Sequence, residues 1–137
     1  MFACTVWAGE TRSQLSQATR QQAPREMIAV LGGQIVDQAA HIERVILVQN
    51  QSGQHDSFFV TAQDFSRCEQ DLRAAGLTWL GFAHSHPDGP ATPSSRDREQ
   101  LWTGCLQVIT NPRHINCFFI DDMRVVHSVP QDNTVPP

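Results

Sequence analysis

The stretch from Thr78 to Asp97 constrains this chain more than any other, because a continuous apolar strand (Trp79, Leu80, Phe82, Ala83) runs straight into a cluster of metal-ligating residue types. It reads His84-Ser85-His86-Pro87, and after seven residues intervening beyond His86 come Ser94 and then Asp97. In a strand, residues two apart share a face, so His84 and His86 present two imidazoles side by side at the strand's C-terminal end. The proline-rich loop Asp88 to Pro93 returns the chain, and Asp97 in the first turn of the next helix offers a carboxylate oxygen as third ligand. Two His and one carboxylate with a fourth position open is the hydrolytic zinc arrangement. Nitrogen and oxygen ligands without thiolates favour zinc, although a two-His-one-carboxylate set also serves non-haem iron. Taken alone, Ser94-x-x-Asp97 is equally a helix N-terminus, with Ser94 as N-cap and Asp97 favoured by the helix dipole. Their joint occurrence at one strand end is what points to a metal.

The rest of the composition bounds what such a site can serve. At 137 residues the chain fits one domain that can bury a single core without help from disulfides or metal. A formal net charge of -4, with ten Arg, no Lys and no basic run, argues against nucleic acid as the main partner. The N-terminus lacks a secretory leader and no apolar run is long enough to span a membrane, so a soluble, cytoplasmic protein is expected. Cys4, Cys68, Cys105 and Cys117 show no C-x-x-C pairing and read as small buried apolar residues.

Periodicity gives a β-first, mixed α/β order. Phe2 to Ala8 reads as a short strand, Glu10 to about Gln22 as a helix that Pro24 stops, and Met27 to Leu31 as a buried strand that runs on to Val36. Ile42 to Val48 and Ser57 to Val60 complete an expected three-strand meander. Thr61 or Asp64 caps a helix to Ala75, with Gly76 ending it. Thr78 to His84 reads as a centre strand buried on both faces. Ser94 to about Trp102 is expected to be a short helix, followed by strands at Cys105 to Thr110, Ile115 to Ile120 and Met123 to Val129. The expected domain is residues 1–130, with 131–137 a disordered tail.

The pattern His84-x-His86-x(7)-Ser94-x-x-Asp97 resembles, without a gap, the motif of the JAMM metallopeptidases, also called the MPN+ or JAB domain family. His86-Pro87-Asp88-Gly89-Pro90-Ala91, with Pro93-Ser94 after it, is similar to the compact bacterial members. That signature includes an upstream glutamate just after a proline and before an apolar strand ending in glycine. Pro24-Arg25-Glu26 followed by Met27 to Gly33 resembles this context, although Ala29 stands where members commonly have glycine. Glu10 and Glu43 are the weaker candidates. The resemblance covers nearly the whole chain and implies a single-domain JAB/MPN fold, a twisted mixed β-sheet flanked by helices of the cytidine-deaminase-like kind.

The same resemblance implies a mechanism. Zn²⁺ held by His84, His86 and Asp97 activates water, Glu26 acts as catalytic acid/base, and the Ser94 hydroxyl donates to the developing oxyanion. His41, His55, His114 and His127 have no partner at ligand spacing, and Trp79 and Trp102, which flank the motif, read as core packing before substrate platform. Family members cleave amide or isopeptide bonds after the C-terminal Gly-Gly of ubiquitin-like proteins. The short connections here leave no room for the insertions with which larger members grip ubiquitin chains, so a small ubiquitin-like or sulfur-carrier protein is the expected substrate partner. A non-catalytic MPN-type scaffold, a RadC-like protein and a phage-tail or cell-wall peptidase partner domain stay open as alternatives. The scaffold is disfavoured by the complete residue set, and RadC-like proteins usually have Asn where Ser85 stands.

Overall fold

The computed structural model describes residues 1–51 and 60–132. Its elements are β1 (Cys4–Trp7), α1 (Thr11–Gln22), β2 (Ile28–Val36), β3 (Ala39–Val48), α2 (Ala62–Ala74), β4 (Thr78–Ser85), α3 (Ser95–Gln100), β5 (Leu106–Thr110), β6 (Ile115–Ile120), β7 (Val126–Val129) and β8 (Gln131–Asp132). The strands form one sheet in the order β7-β6-β5-β4-β2-β3-β1-β8. The pairs β4–β5, β1–β3 and β1–β8 are parallel and the others antiparallel. This is the mixed α/β sheet flanked by helices that the sequence implies.

Side-chain alternation sorts the two faces. Ala29 and Leu31 of β2, with Leu80, Leu106 and Val108, pack under α1 through its buried Leu15 and Ala18. Val30 and Phe82 point the other way and meet Cys68 and Leu72 of α2. Gly32 admits this second helix closely, since a Cβ there would run into the Leu72 side chain. β4 lies near the middle of the sheet and is buried from Leu80 to Ser85, as expected for a centre strand.

Several expected elements come out differently. Of the expected third meander strand, only Val60 is among the described residues, where it is not in a strand; the rest lies outside them. The two neighbours of β3 are β2 and β1. The β2–β3 hairpin turns on Asp37 and Gln38, both with positive φ (49° and 67°), a two-residue loop whose left-handed geometry suits the twist of paired strands. α3 stops at Gln100, so Trp102 falls outside it. β7 starts at Val126 rather than Met123, because Asp121 Oδ1 accepts from the amides of Met123 and Val125 and Arg124 takes φ 62°. Gln131 and Asp132 belong to the sheet rather than to a tail. Gln131 accepts from the Trp7 indole at 2.8 Å and donates to the Ile115 carbonyl at 2.7 Å. No helix among the described residues is long and apolar enough to cross a membrane.

Candidate metal centre

Sheet parity assembles the site from two segments far apart in sequence. β2 and β4 pair antiparallel with Ile28 opposite His84, and extending that register by two residues sets Glu26 opposite His86. Glu26 thus falls on the same face as His84 and His86, while Met27 and Ser85 point to the other. Two hydrogen bonds lock this extension: the Met27 amide donates to Ser85 Oγ at 2.7 Å, and the Ser85 amide donates to the Met27 carbonyl at 3.0 Å. Asn50, just past β3, donates through Nδ2 to the Glu26 carbonyl at 3.1 Å, and Arg25 donates to the Asn50 carbonyl at 2.9 Å. Glu26 is 4% exposed, so it is not the solvated residue that a position just after a helix and a proline suggests.

The loop between β4 and α3 is pinned from three sides. His86 Nδ1 lies 2.9 Å from the Pro90 carbonyl, Asn111 donates to the Gly89 carbonyl at 3.0 Å, and Asn116 donates to the Ala91 carbonyl at 2.9 Å. Because a carbonyl only accepts, this contact puts the His86 proton on Nδ1 and leaves the Nε2 lone pair for the site. Ser94 then caps α3 in a reciprocal box: its Oγ accepts from the Asp97 amide at 3.1 Å and its amide donates to Asp97 Oδ2 at 3.0 Å.

Three candidate ligand atoms converge. His84 Nε2 and His86 Nε2 are 3.2 Å apart, and Asp97 Oδ2 lies 3.2 Å from the first and 3.0 Å from the second. Tetrahedral zinc with bonds of about 2.0–2.1 Å has ligand-to-ligand edges of about 3.3–3.4 Å, so this triangle is close to one face of such a site. Two imidazole nitrogens and a carboxylate oxygen converging on one point make a donor set that a cation would satisfy. One ligand atom each from Glu26, His84 and His86 also lies within 4.8 Å of the others, near enough to share an ion. The two groupings have both histidines in common.

Electrostatics in the site set burial against hydrogen bonds and charge. Burial pushes the His84 pKa down against the pull of Asp97. Burial acts the same way on His86, but hydrogen bonds to Asp97 and the Pro90 carbonyl, with the charges of Asp97 and Glu26, more than offset it and raise the pKa. Asp97 is buried too, yet its bonds with His84, His86 and the Ser94 amide hold its carboxyl well below the usual range.

A cavity of about 910 Å³ opens onto Glu26, His86, Ser94 and Asp97 and extends past Phe82 to Phe65 and Trp102. Trp79 packs as expected, but Trp102 is 51% exposed and lines this cavity, so it is not a core residue. Glu10 and Glu43 lie together at a separate depression. His127 pairs with Asp121 at 2.8 Å, a structural role, and His55 is outside the described residues. Sequence reasoning missed the parts played by Ser85 and Asn50. Position two before the first buried strand residue carried a signal for Glu26, but nothing marked its two supports.

The sequence matches the family of prokaryotic homologs of the JAB domain over residues 9–121. The chain belongs to that family. Its fold is shared with two solution structures: a protein from Desulfitobacterium hafniense (TM-score 0.84, 23% identity, 93% of this chain and 91% of that one) and a protein from Salinibacter ruber (TM-score 0.70, 22% identity, 96% and 94%). No curated protein matches the chain. In this JAB domain, Ala29 in place of the commoner glycine is fully buried opposite Ala83, within the α1-side core and away from the site face.

Proposed function

We propose that this JAB-domain protein is a zinc-dependent hydrolase that cleaves the amide or isopeptide bond after the C-terminal Gly-Gly of a small ubiquitin-like or sulfur-carrier protein. The observation that carries the reading is the convergence of His84, His86 and Asp97 on one point, with the buried Glu26 brought beside them by the β2–β4 ladder. His84, His86 and Asp97 would hold the ion. When bound, zinc supplies Lewis acidity, polarising a carbonyl and acidifying water.

The remaining work falls to the chain's own side chains. The Glu26 carboxylate takes a proton from water and returns it to the leaving nitrogen, so one group serves as base and then as acid. Ser94 accepts the Asp97 amide with an oxygen lone pair, which leaves its hydroxyl proton to donate to the carbonyl oxygen as charge develops there. His86 is held in the required tautomer by the Pro90 carbonyl. The Gly-Gly specificity is what the resemblance to the JAMM metallopeptidases implies.

The test is hydrolysis of a fusion joined through Gly-Gly to a small carrier protein. Zinc-loaded wild type should cleave it, and Glu26→Gln should keep the zinc while losing on the order of 10² to 10⁴ in rate. Absence of cleavage by wild type would favour the scaffold, and equal rates for the two would move the proton transfer to another group.

A further inference from the structure

Beyond the metal centre, the cavity ends in a feature that the hydrolase reading does not use. Phe65 of α2, Trp79 and Phe82 of β4, and Trp102 after α3 all contact one another, with ring centroids 5.1–5.9 Å apart and mostly edge to face. Such a cluster would ordinarily close on itself as core. Here Phe65, Phe82 and Trp102 line the cavity that Glu26, His86 and Asp97 also line, and Trp102 remains 51% exposed.

Gln107 is the second observation. It pairs with Phe82 across the parallel β4–β5 ladder, lines the same cavity and is fully buried. Its Nε2 donates to the Trp102 carbonyl at 3.1 Å and lies 3.5 Å from Cys105 Sγ, which orients the amide. Its Oε1 is buried and accepts no hydrogen bond among the described residues. A buried amide oxygen without a donor is costly unless something else supplies one. An apolar wall with one unanswered acceptor fits a flat side chain carrying a single N–H or O–H at its tip.

We propose that this recess is a specificity pocket for the leaving portion of the substrate, taking a tyrosine or tryptophan side chain whose ring packs on Trp102 and whose donor reaches Gln107 Oε1. The proposal rests on the hydrolase reading above. That reading gives the acyl side to glycines, which have no side chain to fill a recess, so the occupant belongs to the amine side of the scissile bond.

The experiment uses one Gly-Gly donor peptide joined to tyrosine amide, phenylalanine amide or alanine amide, with zinc-loaded protein. Wild type should show kcat/KM in the order Tyr, Phe, Ala, with steps of about tenfold. Gln107→Leu should bring the Tyr/Phe ratio to about one and keep the Phe/Ala ratio, whereas Trp102→Ala should collapse the Phe/Ala ratio. In parallel, metal-free protein is titrated with tyrosine amide and alanine amide, read by tryptophan emission. A saturable change with the first alone supports the recess without requiring hydrolysis. Equal rates for all three adducts overturn the pocket and leave the hydrolase standing. Cleavage of none, with tyrosine amide still bound, overturns the hydrolase and leaves the recess as a binding site. An aromatic preference seen only when the residue precedes Gly-Gly overturns the assignment to the leaving side.

Discussion

Ser85 and Met27 exchange two hydrogen bonds, Oγ accepting the Met27 amide at 2.7 Å and the Met27 carbonyl accepting the Ser85 amide at 3.0 Å. The serine between the two histidines therefore faces away from the site and holds the residue next to Glu26. Ser85→Ala leaves a buried amide without its acceptor, at a cost of about 1–3 kcal/mol. We expect a lower denaturation midpoint and a larger loss of turnover than of zinc content. An unchanged midpoint would show that this bond contributes nothing.

Metal content should follow the close triangle. Protein prepared without added metal should hold one zinc per chain, His84→Ala and Asp97→Ala should lose it, and Glu26→Gln should retain it, as measured by elemental analysis. Loss of zinc in Glu26→Gln would move that carboxylate into the ligand set.

Zinc affinity should also depend on pH with a definite sign. In the metal-free site the His86 pKa is raised, so its ring keeps a proton to higher pH than an ordinary histidine, and zinc must displace that proton. Affinity should rise with pH through this titration and fall below it. Asp97, held low, stays ionised throughout and contributes no slope near neutrality. A flat titration of zinc binding between pH 6 and 8 would contradict a ligand role for His86.

Ser94 separates capping from chemistry. Ser94→Ala should cost about 1 kcal/mol of stability as a lost cap and about 10² to 10³ in kcat as a lost oxyanion donor. Ser94→Thr and Ser94→Asp can both cap, but only threonine keeps a neutral hydroxyl donor. Full activity in Ser94→Asp would reduce Ser94 to a cap.

The cysteines offer a test of the core. Burial pushes the Cys105 and Cys117 thiols up to about 12. At pH 8 a thiol with that pKa has a thiolate fraction of about 10⁻⁴. Cys4, only partly buried, should therefore label first with iodoacetamide, and Cys105 and Cys117 only on unfolding. Mass spectrometry of the native protein reads this directly.

What could be read in advance was what local chemistry determines. α2 begins at the Thr61 cap and ends before Gly76, whose φ is 74°, and both signals are in the residues themselves. The candidate ligands His84, His86 and Asp97 lie within one short stretch, so their spacing was visible. Ser85, Asn50 and Gln107 were not legible, because each acquires its role from a partner on another strand. β8 escaped notice for the same reason: two polar residues become a strand only because β1 offers an edge and Ile115 a carbonyl. Trp102 was misplaced because α3 ends at Gln100, two residues short of it, and helix ends are poorly marked where no glycine or proline stops them.

The two halves of the centre differ in how they are held together. His84, His86 and Asp97 belong to one hairpin-sized piece of backbone, whereas Glu26 arrives from 58 residues upstream through the ladder between β2 and β4. A molecule whose β2 has come away from β4 would keep its three candidate ligands together and lose the proposed base. On the proposed reading, such a half-open chain would carry an ion without cutting, and hydrolytic competence would belong to the finished sheet, where the two distant stretches meet.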